Sequence, residues 1–145
     1  MDIRKVDYKE ISKQCYTVLE DFSSFDVGDG WYQLILDIST KIHNINLRDK
    51  SEDGHIDCVV VQIKEKYGIL RYYVNTSTPE INDLINDAEE LSGYICELCG
   101  SQSNRVECKG GDGQWMSTRC RPNCVPDHIE QWSVKLKEDE NDKEL

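Results

Sequence analysis

The chain has 145 residues, 38% of them hydrophobic, which suits one domain with a modest core. A net charge of −11 argues against a surface built to grip nucleic-acid phosphates, because that task needs clustered Lys and Arg. No run approaches the ~18 apolar residues of a bilayer span, and the charged start MDIRKVDYKE lacks the apolar centre of an export signal, so the sequence reads as a soluble cytoplasmic protein.

Residues 3–22 place Ile3, Val6, Ile11, Cys15, Val18, Leu19 and Phe22 at roughly helical spacing and predict an amphipathic helix. SSFDVGDG breaks it. A second helix is predicted from Trp31, with Leu34, Ile35, Ile38, Ile42 and Ile45 on one stripe and Gln33, Asp37 and Lys41 toward water. NLRDKSEDGH reads as a solvated loop. IDCVVVQIKEKYGILRYYVN, rich in β-branched and aromatic residues around a central glycine, predicts a β-hairpin. In TSTPEINDLINDAEELSGYI, Thr78 caps a third helix, Pro79 takes its first position and Glu80 its first turn. Its buried stripe is Ile81, Leu84, Ile85, Ala88 and Leu91. The expected fold class is α+β: two N-terminal helices, a β-hairpin or small antiparallel sheet, a third helix, and a C-terminal zinc-ribbon-like segment. Residues 1–95 form the helical and hairpin core, 96–128 a zinc-binding segment packed on it, and 129–145 an acidic tail.

Seven cysteines would suit a disulfide framework in a secreted domain, but the count is odd and five of them cluster in residues 96–124. CELCG supplies two thiolates across a tight turn, with Gly100 giving the chain its freedom just after it. Cys120 and Cys124 follow across 20 residues, a separation normal for a zinc ribbon or treble clef. Cys96, Cys99, Cys120 and Cys124 are therefore the preferred ligands of a structural Zn2+. The three-residue gap in CRPNC leaves Cys108 or His128 as a substitute for one of them. Cys15 and Cys58 sit on apolar faces as core thiols. Four sulfurs with no His-x-Glu arrangement suit a structural ion better than a catalytic one. No P-loop, dinucleotide fingerprint or nucleophile elbow is present, so no catalytic residue is expected and the chain reads as a non-enzyme.

With an even hairpin loop, Val61, Ile63, Leu70, Tyr72 and Val74 share one face, and Gln62, Lys64, Lys66, Arg71 and Tyr73 the other. A three-residue loop, Lys66-Tyr67-Gly68, would shift the pairing and mix the faces. Lys64, Lys66, Arg71 and Tyr73 either pair with acidic neighbours or form a surface for a small anionic ligand such as a nucleotide.

GWYQLILDISTKI, then VVVQIKEKYGILRYYV, then INDLINDAEELSGYICELCG, in that order, resembles an uncharacterised family of small proteins common in bacteriophage and prophage genomes. Its members run as a Gly-Trp helix, a V-K-E-K-F-G-G-L-R-F-Y-V-like hairpin and a helix ending in C-x-x-C-G. The resemblance covers about residues 30–124 and departs at Gly68-Ile69, where the family has Gly-Gly, and at the longer second cysteine arm. It implies a phage-associated accessory protein acting in the cytoplasm of a bacterial host cell, and it brings no catalytic residues. The expected function is that of a zinc-stabilised binding protein whose partner is a host protein of defence or transcription. The alternatives are anionic-ligand capture and acidic mimicry of nucleic acid. Direct nucleic-acid binding through residues 96–125 is disfavoured by their net charge of +1.

Overall fold

The computed structural model describes residues 7–20, 22–102, 107–109 and 117–119. Expectations that fall on residues 1–6, the second cysteine arm and the acidic tail lie outside these. The described part is α+β, with a small three-stranded mixed sheet in the order β1 (Phe25–Asp26), β2 (Val60–Lys66), β3 (Ile69–Val74).

The helix expected over residues 3–22 is two short helices, α1 (Tyr8–Gln14) and α2 (Tyr16–Leu19), broken at Cys15. Asp7 caps α1 by accepting from the Lys9 N–H. The break follows from tertiary packing, because the Thr17 N–H turns to His43 Nδ1 at 3.4 Å and the Thr17 hydroxyl meets the same nitrogen at 2.7 Å. The SSFDVGDG stretch also departs from a plain breaker: Phe25–Asp26 form β1, which pairs in parallel with β2. Tyr8 holds this loop, stacking on Phe25 at 4.8 Å and donating its hydroxyl to the Gly28 carbonyl at 2.7 Å.

A single 3-10 turn, Asp29–Trp31, leads into α3 (Tyr32–Asp49), which runs through the first four residues of the expected loop. Leu34, Ile35, Ile38 and Ile42 are buried on its stripe, joined by His43 and Asn46. These two polar residues are satisfied. Asn46 bonds both backbone groups of Cys58 at 3.0 Å and donates to Thr17 Oγ1 at 3.1 Å. His43 Nδ1 accepts from the Thr17 N–H, so the Thr17 hydroxyl at 2.7 Å is a donor to the same nitrogen.

Strands β2 (Val60–Lys66) and β3 (Ile69–Val74) are antiparallel, with Lys66 opposite Ile69 and only Tyr67 and Gly68 between them. Both turn residues have positive φ, 55° and 82°, as a type I′ hairpin turn requires. Ile63, Leu70 and Tyr72 are buried on the inner face, and the Tyr72 hydroxyl meets Ser39 Oγ at 2.8 Å. Val61 corrects the expected pattern. It is the extra residue of a bulge between Val60 and Gln62, so Val60 takes the core position and Val61 is exposed.

The outer edge of β3 is closed by side chains of α4 (Pro79–Ser92). Ser92 Oγ accepts from the Leu70 N–H and Glu89 Oε2 from the Tyr72 N–H, each at 3.0 Å. Helix α4 begins as expected, with Thr78 Oγ1 accepting from the Ile81 N–H and Pro79 in the first turn. Ile81, Ile85, Ala88 and Leu91 complete one core with α1, α2, α3 and the inner sheet face.

Replacing Asn46 with Ala strips both bonds from the buried Cys58 peptide groups and should lower stability by about 2–3 kcal/mol in denaturant melts. A loss below ~0.5 kcal/mol would mean that the side-chain amide does not carry this junction.

Candidate metal centre

Three residues after α4, the chain makes a knuckle. The Gly100 N–H returns to the Cys96 carbonyl at 2.8 Å, and the Cys96 N–H donates to the Ser101 carbonyl at 2.9 Å. Closing so small a loop needs Gly100 at a φ of 83°, where a side chain would be strained. The knuckle carries Cys96 and Cys99 inward, 0% and 7% exposed, with Leu98 packed against them.

Two segments from elsewhere in the chain hold it. On one flank lies the turn before α3: the Gly30 N–H donates to the Glu97 carbonyl at 2.7 Å and the Gly28 N–H to Glu97 Oε2 at 3.0 Å. The buried Trp31 indole donates to the Ile95 carbonyl at 2.9 Å. The backbones approach so closely that a Cβ on Gly30 would stand 2.1 Å from the Cys96 carbonyl oxygen, and one on Gly28 2.4 Å from that of Glu97. On the other flank lies β5 (Ser117–Arg119), which pairs antiparallel with β4 (Glu107–Lys109). The Glu97 N–H donates to the Thr118 carbonyl at 2.9 Å, and the buried Thr118 hydroxyl to the Gly68 carbonyl at 2.6 Å. The knuckle thus joins the α3 entry, the hairpin turn and the second small sheet.

The electrostatics at this junction are unusual for a loop. Burial pushes the Glu97 carboxyl above the usual range, opposed by the Gly28 N–H and by Arg119, and reinforced by Glu65 and Asp26. Arg119 has a buried Nε with no acceptor. A buried guanidinium donor without a partner among the described residues is a group that an added anionic ligand set would satisfy.

Of the six candidate ligands, Cys96 and Cys99 are placed together by the knuckle. Cys108 lies in β4 at the register position opposite Thr118. Cys120, Cys124 and His128 lie outside the described residues, although Cys120 directly follows Arg119 in the chain. Among the described residues, no group of three or more His, Cys, Asp or Glu side chains could hold a metal. None of Cys15, Cys58, Cys96 and Cys99 is in a disulfide. Cys15 and Cys58 are buried core thiols, each 1% exposed. Burial raises both above the usual range, Cys58 to about 11, with Asp57 adding to the effect there.

The hairpin cations are distant in role from the knuckle. Lys64 stands opposite Arg71 and Gln62 opposite Tyr73, on the sheet face away from Ile63 and Tyr72. Sequence reading missed Gly28, Gly30, Trp31, Glu97, Thr118 and Arg119. A signal was present in GDGW: two glycines spaced by one residue beside a Trp mark a place where another backbone comes close. Comparison with protein-family models, curated proteins and solved structures finds no match.

Gly30→Ala should destabilise the protein by on the order of 3 kcal/mol or prevent folding, because backbone atoms must move to admit the methyl group. A variant that melts like the parent would contradict the close approach. In the native state at pH 8, well below the raised Cys58 value of about 11, iodoacetamide should label Cys58 and Cys15 only as fast as the chain unfolds. Peptide mass mapping that finds either labelled at the rate of a free thiol would contradict their burial.

Proposed function

We propose that the chain is a non-enzymatic, zinc-stabilised binding protein. The observation that carries this is the knuckle itself. Its two thiols are buried, and its backbone groups are already committed to Gly30 on one side and Thr118 on the other. A catalytic ion needs an open position reachable by substrate, whereas a structural ion is closed in by its ligands. Cys96 and Cys99 would hold the ion from one side. Cys120 and Cys124, with Cys108 or His128 as a substitute for one position, would hold it from the other. A bound Zn2+ supplies charge neutralisation for the thiolates and a crosslink, and no bond-making chemistry. The residues of this chain do the rest: Gly28, Gly30 and Trp31 seat the knuckle, and the strand ending at Arg119 brings the chain back toward it.

The order of helix, hairpin and C-x-x-C-G knuckle supports a setting as a bacteriophage or prophage accessory protein in the bacterial cytoplasm. There it would act by binding a host protein of defence or transcription.

Purified protein should contain about one zinc per chain. Stripping it with a chelator, or changing Cys99→Ser, should cost several kcal/mol, since the binding energy of a structural zinc is largely folding energy, ~10 kcal/mol or more in small modules. Protein without transition metal, equally stable with and without chelator, would overturn the metal reading. Host-lysate capture by zinc-loaded protein should enrich the same protein repeatedly, and the metal-stripped chain should lose it. Equal recovery by both would overturn the link between metal and binding.

A further inference from the structure

We propose, resting on the binding reading above, that the tip of the β2–β3 hairpin is where the partner protein is met. The Tyr67 ring would enter an apolar pocket on that partner, and the Lys66 ammonium would meet a carboxylate at the pocket's mouth.

Tyr67 stands at a costly place. Its φ of 55° lies in the left-handed region, where a bulky side chain is strained. Asn at the first position of such a turn would avoid that strain. Core packing does not offset it, because Tyr67 is 63% exposed. Strain that folding leaves uncompensated fits a position kept for contact.

The turn beneath the ring is firmly held. Gly68 is buried, although its neighbour Tyr67 is not. Its N–H donates to Glu65 Oε2 at 2.7 Å, and its carbonyl accepts from the Thr118 hydroxyl at 2.6 Å. The Thr118 carbonyl accepts from the Glu97 N–H, so the tip is tied to the knuckle. A ring presented from a fixed backbone loses less freedom on association. Loosening of the knuckle on metal removal would reach this surface through Thr118.

The chemistry of the tip selects the kind of partner. A two-residue turn is convex, whereas small ligands need a concave site, so the pocket belongs to the partner. Tyrosine is enriched among the residues that dominate protein interfaces, since its rigid ring buries much area for little lost freedom. Lys66 is exposed, and its Nζ lies 5.8 Å from the Tyr67 ring centroid. It makes no ion pair among the described residues, which leaves its charge for an acid on the partner. A base could also stack on a tyrosine beside a lysine, but the net charge of −11 opposes a polyphosphate.

The test is capture from bacterial lysate on immobilised zinc-loaded protein, read by quantitative mass spectrometry, with a thermal melt of each variant. Tyr67→Asn should melt about 2–4 °C above the parent, because Asn accepts the left-handed conformation. It should nevertheless recover roughly tenfold less of the protein that the parent enriches. Tyr67→Phe, which keeps the ring, and Tyr16→Ala, which removes an exposed tyrosine of α2, should capture as the parent does. Lys66→Glu should weaken capture severalfold at an unchanged melting temperature. Tyr67→Asn that captures like the parent would overturn the tip and leave the binding reading standing, whereas a parent that enriches nothing would overturn both. Tyr67→Asn that melts lower would make the ring structural and overturn the proposal. Unchanged capture by Lys66→Glu would overturn the carboxylate at the pocket's mouth. Capture abolished by nuclease would make the occupant nucleic acid, and a parent dimer that Tyr67→Asn turns into monomer in sedimentation would make it a second copy. Either result would overturn the proposal.

Discussion

The peptide backbone of Cys96–Gly100 lies against Gly28 and Gly30 with no room for a side chain between them, and that contact ties together segments distant in the chain. Carbonyl and amide groups that would otherwise be buried without partners satisfy one another there: Gly30 with Glu97, Trp31 with Ile95, Glu97 with Thr118. Burying such groups unpaired costs about 1–3 kcal/mol each, so the segments are selected together or not at all. The short β1, the entry to α3, the end of α4 and the turn of the hairpin are thereby fixed to one another, although they are distant in sequence.

The same economy of polar partners recurs in the core. The Asn46 amide stands in for a strand and pairs both backbone groups of Cys58. Ser92 and Glu89 stand in for another along β3, whose outward N–H groups would otherwise invite a foreign strand. Side chains of α3 and α4 thus do hydrogen-bonding work that a larger sheet would do with additional strands, which suits a chain of 145 residues.

What the sequence disclosed follows from distance along the chain. Helix α4 was legible because its signals are local: Thr78 at the cap, Pro79 in the first turn and an apolar stripe at helical spacing. The even hairpin loop was legible because it alone keeps Ile63, Leu70 and Tyr72 together. Val61 was misread because a bulge shifts the alternation by one residue, and nothing in a run of three valines says which of them is extra. β1 escaped notice because two residues carry no period, and its partner lies in a strand after an 18-residue helix. The break at Cys15 depends on Thr17 meeting His43, a contact invisible to helical periodicity. The cysteine pair was visible as chemistry, whereas its seat was not, because glycines that permit close approach look like glycines that end a helix.

The knuckle and the hairpin face divide the molecule by role. One is buried, backbone-driven and built to fasten. The other carries side-chain charge and is coupled to the first through the pairing of β1 with β2 and through the Gly68 turn, where Thr118 bonds. Hydrogen exchange at the Gly30 and Glu97 amides and the Trp31 indole tests the knuckle contact most directly. These protons should exchange only as fast as the Leu70 and Cys58 amides of the core, in a single cooperative opening. Exchange at the rate of an unstructured peptide, with those core amides still protected, would show that the knuckle is not seated on the turn and that the junction does not hold the fold together.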